Sequence, residues 1–157
     1  MIQNQQIFPQ FPDGSRIWIY VSNQAIDSKV KNEIQVQLQD FLSKWAAHGT
    51  ALIADCAWVN DFQLVIALNE KSAGASGCSI DSKTRFLRQL GIDYSIDWYD
   101  RFSLIVQDNG EDKVILFQEL DQFPNALLYD NLIQKLGELR TNWPIQISES
   151  RYRNLVN

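Results

Sequence analysis

Ala51-Leu52-Ile53-Ala54-Asp55-Cys56-Ala57-Trp58-Val59, then Asn60-Asp61, then Phe62-Gln63-Leu64-Val65-Ile66-Ala67-Leu68 is the stretch on which the fold turns. Two apolar runs of strand length flank a polar pair that tolerates the backbone angles of a tight turn. The chain therefore folds back on itself here, and the two runs pair antiparallel.

Upstream, Ile17-Trp18-Ile19-Tyr20-Val21 is apolar on both faces and bounded by polar residues, the pattern of a buried central strand. Between it and the hairpin, Val30, Ile34, Leu38, Phe41, Leu42 and Trp45 recur at steps of three and four. That spacing predicts a helix capped by Asp27 or Ser28 and ending at His48-Gly49. Downstream, a second helix is expected to begin near Ser79, carry Ile80, Phe86, Leu87 and Leu90, and stop at Gly91. Phe102 to Gln107 and Lys113 to Phe117 then flank Asp108-Asn109-Gly110-Glu111-Asp112, a strong turn signal.

The order strand, helix, strand, strand, helix, strand predicts an α+β fold with a ferredoxin-like split βαββαβ sheet. Its first and third strands would be central and its helices would share one face. An extra C-terminal edge strand, Ala126 to Tyr129, and a short helix with Leu132, Leu136 and Leu139 are expected beyond it. The chain reads as one domain, 1–157, with a polar leader over 1–15 and an extension over 118–157 packed on the same core. Trp18 and Tyr20, and Leu52, Ala54, Cys56 and Trp58, make sheet faces too apolar to stay bare. If the helices cover one side, the other needs the C-terminal segment, a second subunit in a homodimer, or a hydrophobic ligand.

Composition narrows the function classes. A 45% hydrophobic content with five Trp, eight Phe and five Tyr suits a packed globule rather than a disordered segment. A net charge of −5 opposes the long-range field that a nonspecific nucleic-acid or anionic-membrane binder needs. The opening residues Met1 to Ile7 lack the basic region and apolar run of a signal peptide, and no apolar stretch spans a bilayer, so the expected location is cytoplasmic. Cys56, Cys78 and His48 do not assemble a structural zinc set, and no cofactor is expected.

The candidate site is Ser72-Ala73-Gly74-Ala75-Ser76-Gly77-Cys78-Ser79-Ile80-Asp81-Ser82, a run of small residues feeding a helix. Three catalytic templates fail on it. A Walker loop needs Lys and then Ser or Thr after its last glycine, and Gly77 is followed by Cys78-Ser79. A nucleophile elbow needs glycine two residues either side of its serine, and only Gly74 is in place around Ser76. A cysteine-dependent phosphatase loop places arginine after five intervening residues, whereas Cys78 and Arg85 have six between them.

What remains is a turn leading to helix amides that favour an anion. Two readings from different classes follow. In the first, a noncatalytic domain binds a small anion or a protein partner through Gly74, Ser76, Gly77, Cys78, Ser79, Asp81 and Arg85. In the second, a thiol-dependent enzyme or redox protein uses Cys78, with Ser76, Ser79 or Arg85 orienting the substrate. The structural alternative is a plain turn with Ser79 as helix cap and Cys78 as packing. Asp93, Asp97 and Asp100 beside Trp98, Tyr99 and Arg101 could bind a cation or make an ion pair, but read more readily as a solvated loop anchored by aromatics, and His48 reads as a favourable charge at a helix end.

Gly74-Ala75-Ser76-Gly77-Cys78-Ser79-Ile80-Asp81-Ser82, Phe11-Pro12-Asp13-Gly14-Ser15-Arg16-Ile17-Trp18-Ile19-Tyr20 and Trp45-Ala46-Ala47-His48-Gly49 together resemble a family of small uncharacterised bacterial proteins. Asp100-Arg101-Phe102 and Tyr129-Asp130-Asn131-Leu132-Ile133 share the resemblance. Members are sometimes labelled ATPases of ABC transporters, a label that the absent Walker lysine motif does not support. The resemblance implies a common fold and a common role for the loop, and no activity.

Overall fold

In the computed structural model, which describes residues 7–156, the hairpin supplies two strands of a three-stranded antiparallel sheet, its second strand in the middle and the first strand of the chain, expected to be central, on the outside. The sheet's strands are β1 (Arg16–Val21), β4 (Ile53–Trp58) and β5 (Gln63–Asn69), in the order β1-β5-β4. Neither Asn60 nor Asp61 adopts a positive φ. Asn60 instead closes the turn with its side chain, accepting from the Phe62 amide at 2.8 Å and donating to Gln63 Oε1 at 2.8 Å. β5 is buried along nearly its whole length because both its faces are covered.

Helix α1 (Ser28–Ser43) is capped by Asp27, whose carboxylate accepts from the Val30 amide. It ends earlier than the periodicity implied. Trp45 has left the helix, and His48 and Gly49, with φ of 51° and 78°, form the turn between the two-residue strands β2 (Ala46–Ala47) and β3 (Thr50–Ala51). A glycine after a helical pattern reads as a helix stop, but two adjacent positive φ values are also what a two-residue hairpin needs. His48 is thus an exposed turn residue and not a helix-end charge.

Helix α2 (Gly77–Tyr94) is capped by Ser76, not Ser79. The two serines cap reciprocally: Ser79 N–H donates to Ser76 Oγ at 3.1 Å and Ser76 N–H to Ser79 Oγ at 2.8 Å. Gly91 does not stop the helix, which runs on to a left-handed Ser95. The glycine serves a close approach instead, since a Cβ there would lie 2.5 Å from the Ile96 carbonyl oxygen and 3.1 Å from the Trp98 ring.

α1 and α2 share one face of the sheet. Ile34, Leu38, Leu42, Leu87 and Leu90 meet Tyr20, Cys56, Trp58, Leu64, Ile66 and Leu68 there. The alternate residues of the same strands, Ile17, Val21, Ala57, Val59, Val65 and Ala67, face the other way. That second face is covered by the chain itself, through Ile105, Tyr129, Leu136, Leu139, Trp143, Ile7 and Phe8. Of the three coverings expected, the C-terminal segment is the one observed, so the sheet-face homodimer loses the surface on which it was placed. The leader is apolar where it docks, because Ile7 and Phe8 are buried; residues 1–6 lie outside the described residues.

The architecture is therefore mixed α and β with separate antiparallel sheets. β6 (Ser103–Asp108), expected beside β1, belongs to a second sheet with β7 (Glu111–Leu116), β8 (Leu127–Leu128) and β9 (Ile145–Gln146), in the order β7-β6-β8-β9. The β6–β7 turn is Asn109-Gly110 with φ of 52° and 80°, as its sequence implied. β8 is internal rather than an edge. The outer edge of β1 is met by residues 134–136 through Ile17 N–H to Gln134 O at 3.0 Å and Leu136 N–H to Ser15 O at 2.9 Å. α3 (Leu136–Thr141) carries Leu136 and Leu139 into the middle cluster, while Leu132 stays exposed. Leu104, Val106, Leu120, Leu128 and Ile147 form a third cluster beyond the second sheet. Among the described residues no helix is long and apolar enough to cross a membrane.

Candidate functional site

The small-residue loop ends in a self-satisfied helix cap. The Ser79 amide is taken by Ser76 Oγ and the Ile80 amide by the Ser76 carbonyl at 3.0 Å, so two of the amides expected to greet an anion are already engaged. A carboxylate stands beside the loop as well, for a Cβ on Gly74 would meet Glu70 Oε2 at 2.9 Å. Ser76 and Ser79 are brought together; Gly77, Cys78, Asp81 and Arg85 are exposed. Arg85 stands seven residues beyond Cys78 on α2, about 10 Å along the axis at the usual helical rise. The loop is built as a helix cap.

Two groups of chemistry-bearing residues lie elsewhere. The first centres on Lys83, 2% exposed in the core between α2 and the first sheet. Its ammonium donates to the Tyr20 hydroxyl and lies 4.2 Å from the centroid of Trp18 and 5.1 Å from that of Tyr20. Arg16 also stacks on Trp18, at 4.6 Å. Among the described residues no carboxylate makes an ion pair with Lys83. Burial, and then the nearby Arg16 charge, pull its pKa down to about 8. Burial, and then Tyr99, push the Tyr20 phenol well above its ordinary range. Sequence reading passed Lys83 over because a lysine on an amphipathic helix belongs to the wet face. Spacing was the available signal, since Ser79, Lys83, Leu87 and Leu90 form one buried stripe.

The second group lines a cleft of about 520 Å³ where β1, the later turns of α2 and the second sheet meet. β1 supplies Ile19 and Val21, the start of β6 supplies Ser103 and Leu104, and Asn131, Leu132 and Tyr152 come from the C-terminal part. α2 supplies Arg88, and the segment after it supplies Trp98, Tyr99, Asp100 and Arg101. Arg88, Trp98 and Tyr99 also border a shallower cavity of about 450 Å³ that reaches Ile92 and Asp97.

Donors dominate the polar lining of the cleft. Arg88 lies 4.5 Å over the Tyr99 ring. Among the described residues, neither Arg88 nor Arg101 reaches a carboxylate. Asn131 spends its carbonyl oxygen on Gln63 Nε2 at 2.5 Å, which leaves its amide N–H groups for the cleft. The carboxylate in the lining, Asp100, is consumed locally, accepting from Ser103 Oγ at 2.7 Å, Phe102 N–H at 2.8 Å and Asn23 Nδ2 at 3.4 Å. Those bonds, that from Ser103 first, hold its pKa below the ordinary carboxylate range.

The aspartates suspected of holding a cation accept hydrogen bonds from close neighbours in the chain. Asp97 takes the Tyr99 amide and Asp93 takes Gln89 Nε2, and among the described residues no group of three potential metal ligands occurs. Trp98 anchors the segment by burial, as expected of an aromatic-anchored loop. What the sequence did not reveal is that this loop faces Asn131 and Tyr152, which are far along the chain and reach it only through the second sheet. Compared with known proteins, the chain matches no family model, no curated protein and no solved structure, so the functional reading rests on its own geometry.

Proposed function

We propose that this chain is a noncatalytic, cytoplasmic binding domain whose ligand is a small anion, held in the cleft between the two sheets rather than at the small-residue loop. One observation carries the reading: Arg88 and Arg101 line the cleft without a carboxylate partner among the described residues, while the Asp100 carboxylate is turned to Ser103, Phe102 and Asn23. A concave site of this size with apolar walls and a few convergent donors suits a small molecule. In the same reading, the first sheet and its two helices correspond to the first five elements of a ferredoxin-like unit. Its fourth strand has been rerouted into a second sheet, and the cleft opens where that strand departs.

The test is thermal or denaturant stability against inorganic phosphate at constant ionic strength. Phosphate at ten times its Kd stabilises the folded state by about 1.4 kcal/mol. Arg88→Ala with Arg101→Ala removes that gain, and Arg85→Ala retains it. Loss of the gain in Arg85→Ala alone returns the site to the loop.

A second reading is favoured by the exposure of Cys78 in the first turn of α2. A thiol-dependent activity requires this thiol to be alkylated faster than an ordinary free thiol at neutral pH, and an ordinary rate removes the reading.

A further inference from the structure

The anion site just proposed is not shaped for a bare inorganic ion. Its walls include aromatic and aliphatic side chains, and one of its two cationic groups, Arg88, stacks on a ring. Arg88 places its guanidinium carbon 4.5 Å from the Tyr99 ring centroid, and Tyr99 in turn meets Tyr20 edge to face at 6.4 Å. A guanidinium stacked on a ring has lost part of its side-chain freedom before any ligand arrives, and its in-plane N–H fork remains open for an oxyanion. Tyr99 is 39% exposed and Leu132 57% exposed, and both line the cleft. Tyr152, half-buried and held edge to face by Phe117 at 5.5 Å, supplies a third ring from the opposite wall.

Resting on that reading of the cleft, we infer that the ligand is an aryl oxyanion: a planar ring seated against Tyr99 and bearing a carboxylate or phosphate that Arg88 and Arg101 engage. The ring removes from water the apolar surface that the chain leaves bare, and the oxyanion meets the donors that have no acceptor. A free phosphate satisfies the arginines and leaves the aromatic walls wet. An uncharged aromatic covers the walls and leaves the guanidinium groups unmatched.

The experiment compares inorganic phosphate, phenyl phosphate, acetate and benzoate by titration calorimetry on the full chain at fixed ionic strength. The aryl member of each pair is expected to bind at least about tenfold more tightly than its small counterpart, a gain of about 1.4 kcal/mol. Whichever pair binds more tightly identifies the oxyanion. Tyr99→Leu, which keeps apolar bulk at an exposed position, brings the affinity ratio within each pair to one, whatever the loss of its stacking on Arg88 does to both members; Arg88→Ala weakens both members of each pair. Equal affinity within each pair overturns the aryl inference while the anion site stands. Absence of binding by all four compounds overturns the anion site and the inference with it.

Discussion

A buried lysine without a carboxylate partner makes stability depend on pH in an uncommon direction. Lys83 in the folded state releases its proton near pH 8, whereas the unfolded chain holds it into the ordinary lysine range. Between those limits the unfolded state binds more protons, so stability rises with pH, by up to about 1.4 kcal/mol per unit for one group. Tyr20 acts in the opposite sense above its ordinary range, because the folded state keeps a proton that the unfolded state loses. Urea unfolding from pH 7 to 9, below the range in which the raised Cys56 thiol and Tyr20 phenol oppose it, is expected to give a rising limb that Lys83→Met flattens; an unchanged limb in that variant assigns the effect elsewhere. Thiol chemistry separates the two cysteines just as clearly. Cys78 is exposed, while Cys56 is buried and its thiol is pushed up to about 12 by burial and then by Asp55. Native protein should take up one equivalent of an alkylating reagent, at Cys78, and unfolded protein two. Modification of Cys56 in the native state contradicts its placement beneath α1.

At the scale of elements, the helices and strands that sequence made legible are those whose signals were local. Asp27 caps α1, Asn109-Gly110 turns β6 into β7, and the hairpin around Asn60-Asp61 pairs as its apolar runs require. Glycine was misread twice because its meaning depends on what lies across from it. Gly49 turns a hairpin, and Gly91 admits the Ile96 carbonyl and the Trp98 ring against α2. Gly91→Ala, favourable in an isolated helix, is therefore expected to destabilise the protein by about 1–3 kcal/mol through overpacking. A stability equal to or above that of the parent chain contradicts the close approach. Ser76→Ala removes one arm of the reciprocal cap and should cost about 1 kcal/mol. Since the same loop was the candidate site, phosphate binding by Ser76→Ala separates the roles: a cap loses stability and keeps the ligand.

For the whole molecule, the least legible feature was the division of strands between two sheets. β6 has the composition of a strand that would extend the first sheet, and nothing local states which edge it joins. The decision is made by residues far along the chain, when Leu136, Leu139 and Trp143 fill the second face and residues 134–136 take the outer edge of β1. The cleft was illegible for the same reason, its Arg88 and Asn131 meeting only through that arrangement. Leu139→Ala should thus destabilise the entire protein by about 2–5 kcal/mol in a single transition. Two separable transitions would mark the sheets as independent. The borrowed edge also carries a consequence for synthesis. A ribosome releases β1, β4 and β5 well before the residues that cover them, at roughly 5–20 residues per second. For several seconds, then, the nascent chain presents an open strand edge and a bare apolar face, the form in which it is most exposed to chaperones and to other nascent chains. Protection of that sheet from protease should arrive only when the residues through Trp143 have emerged.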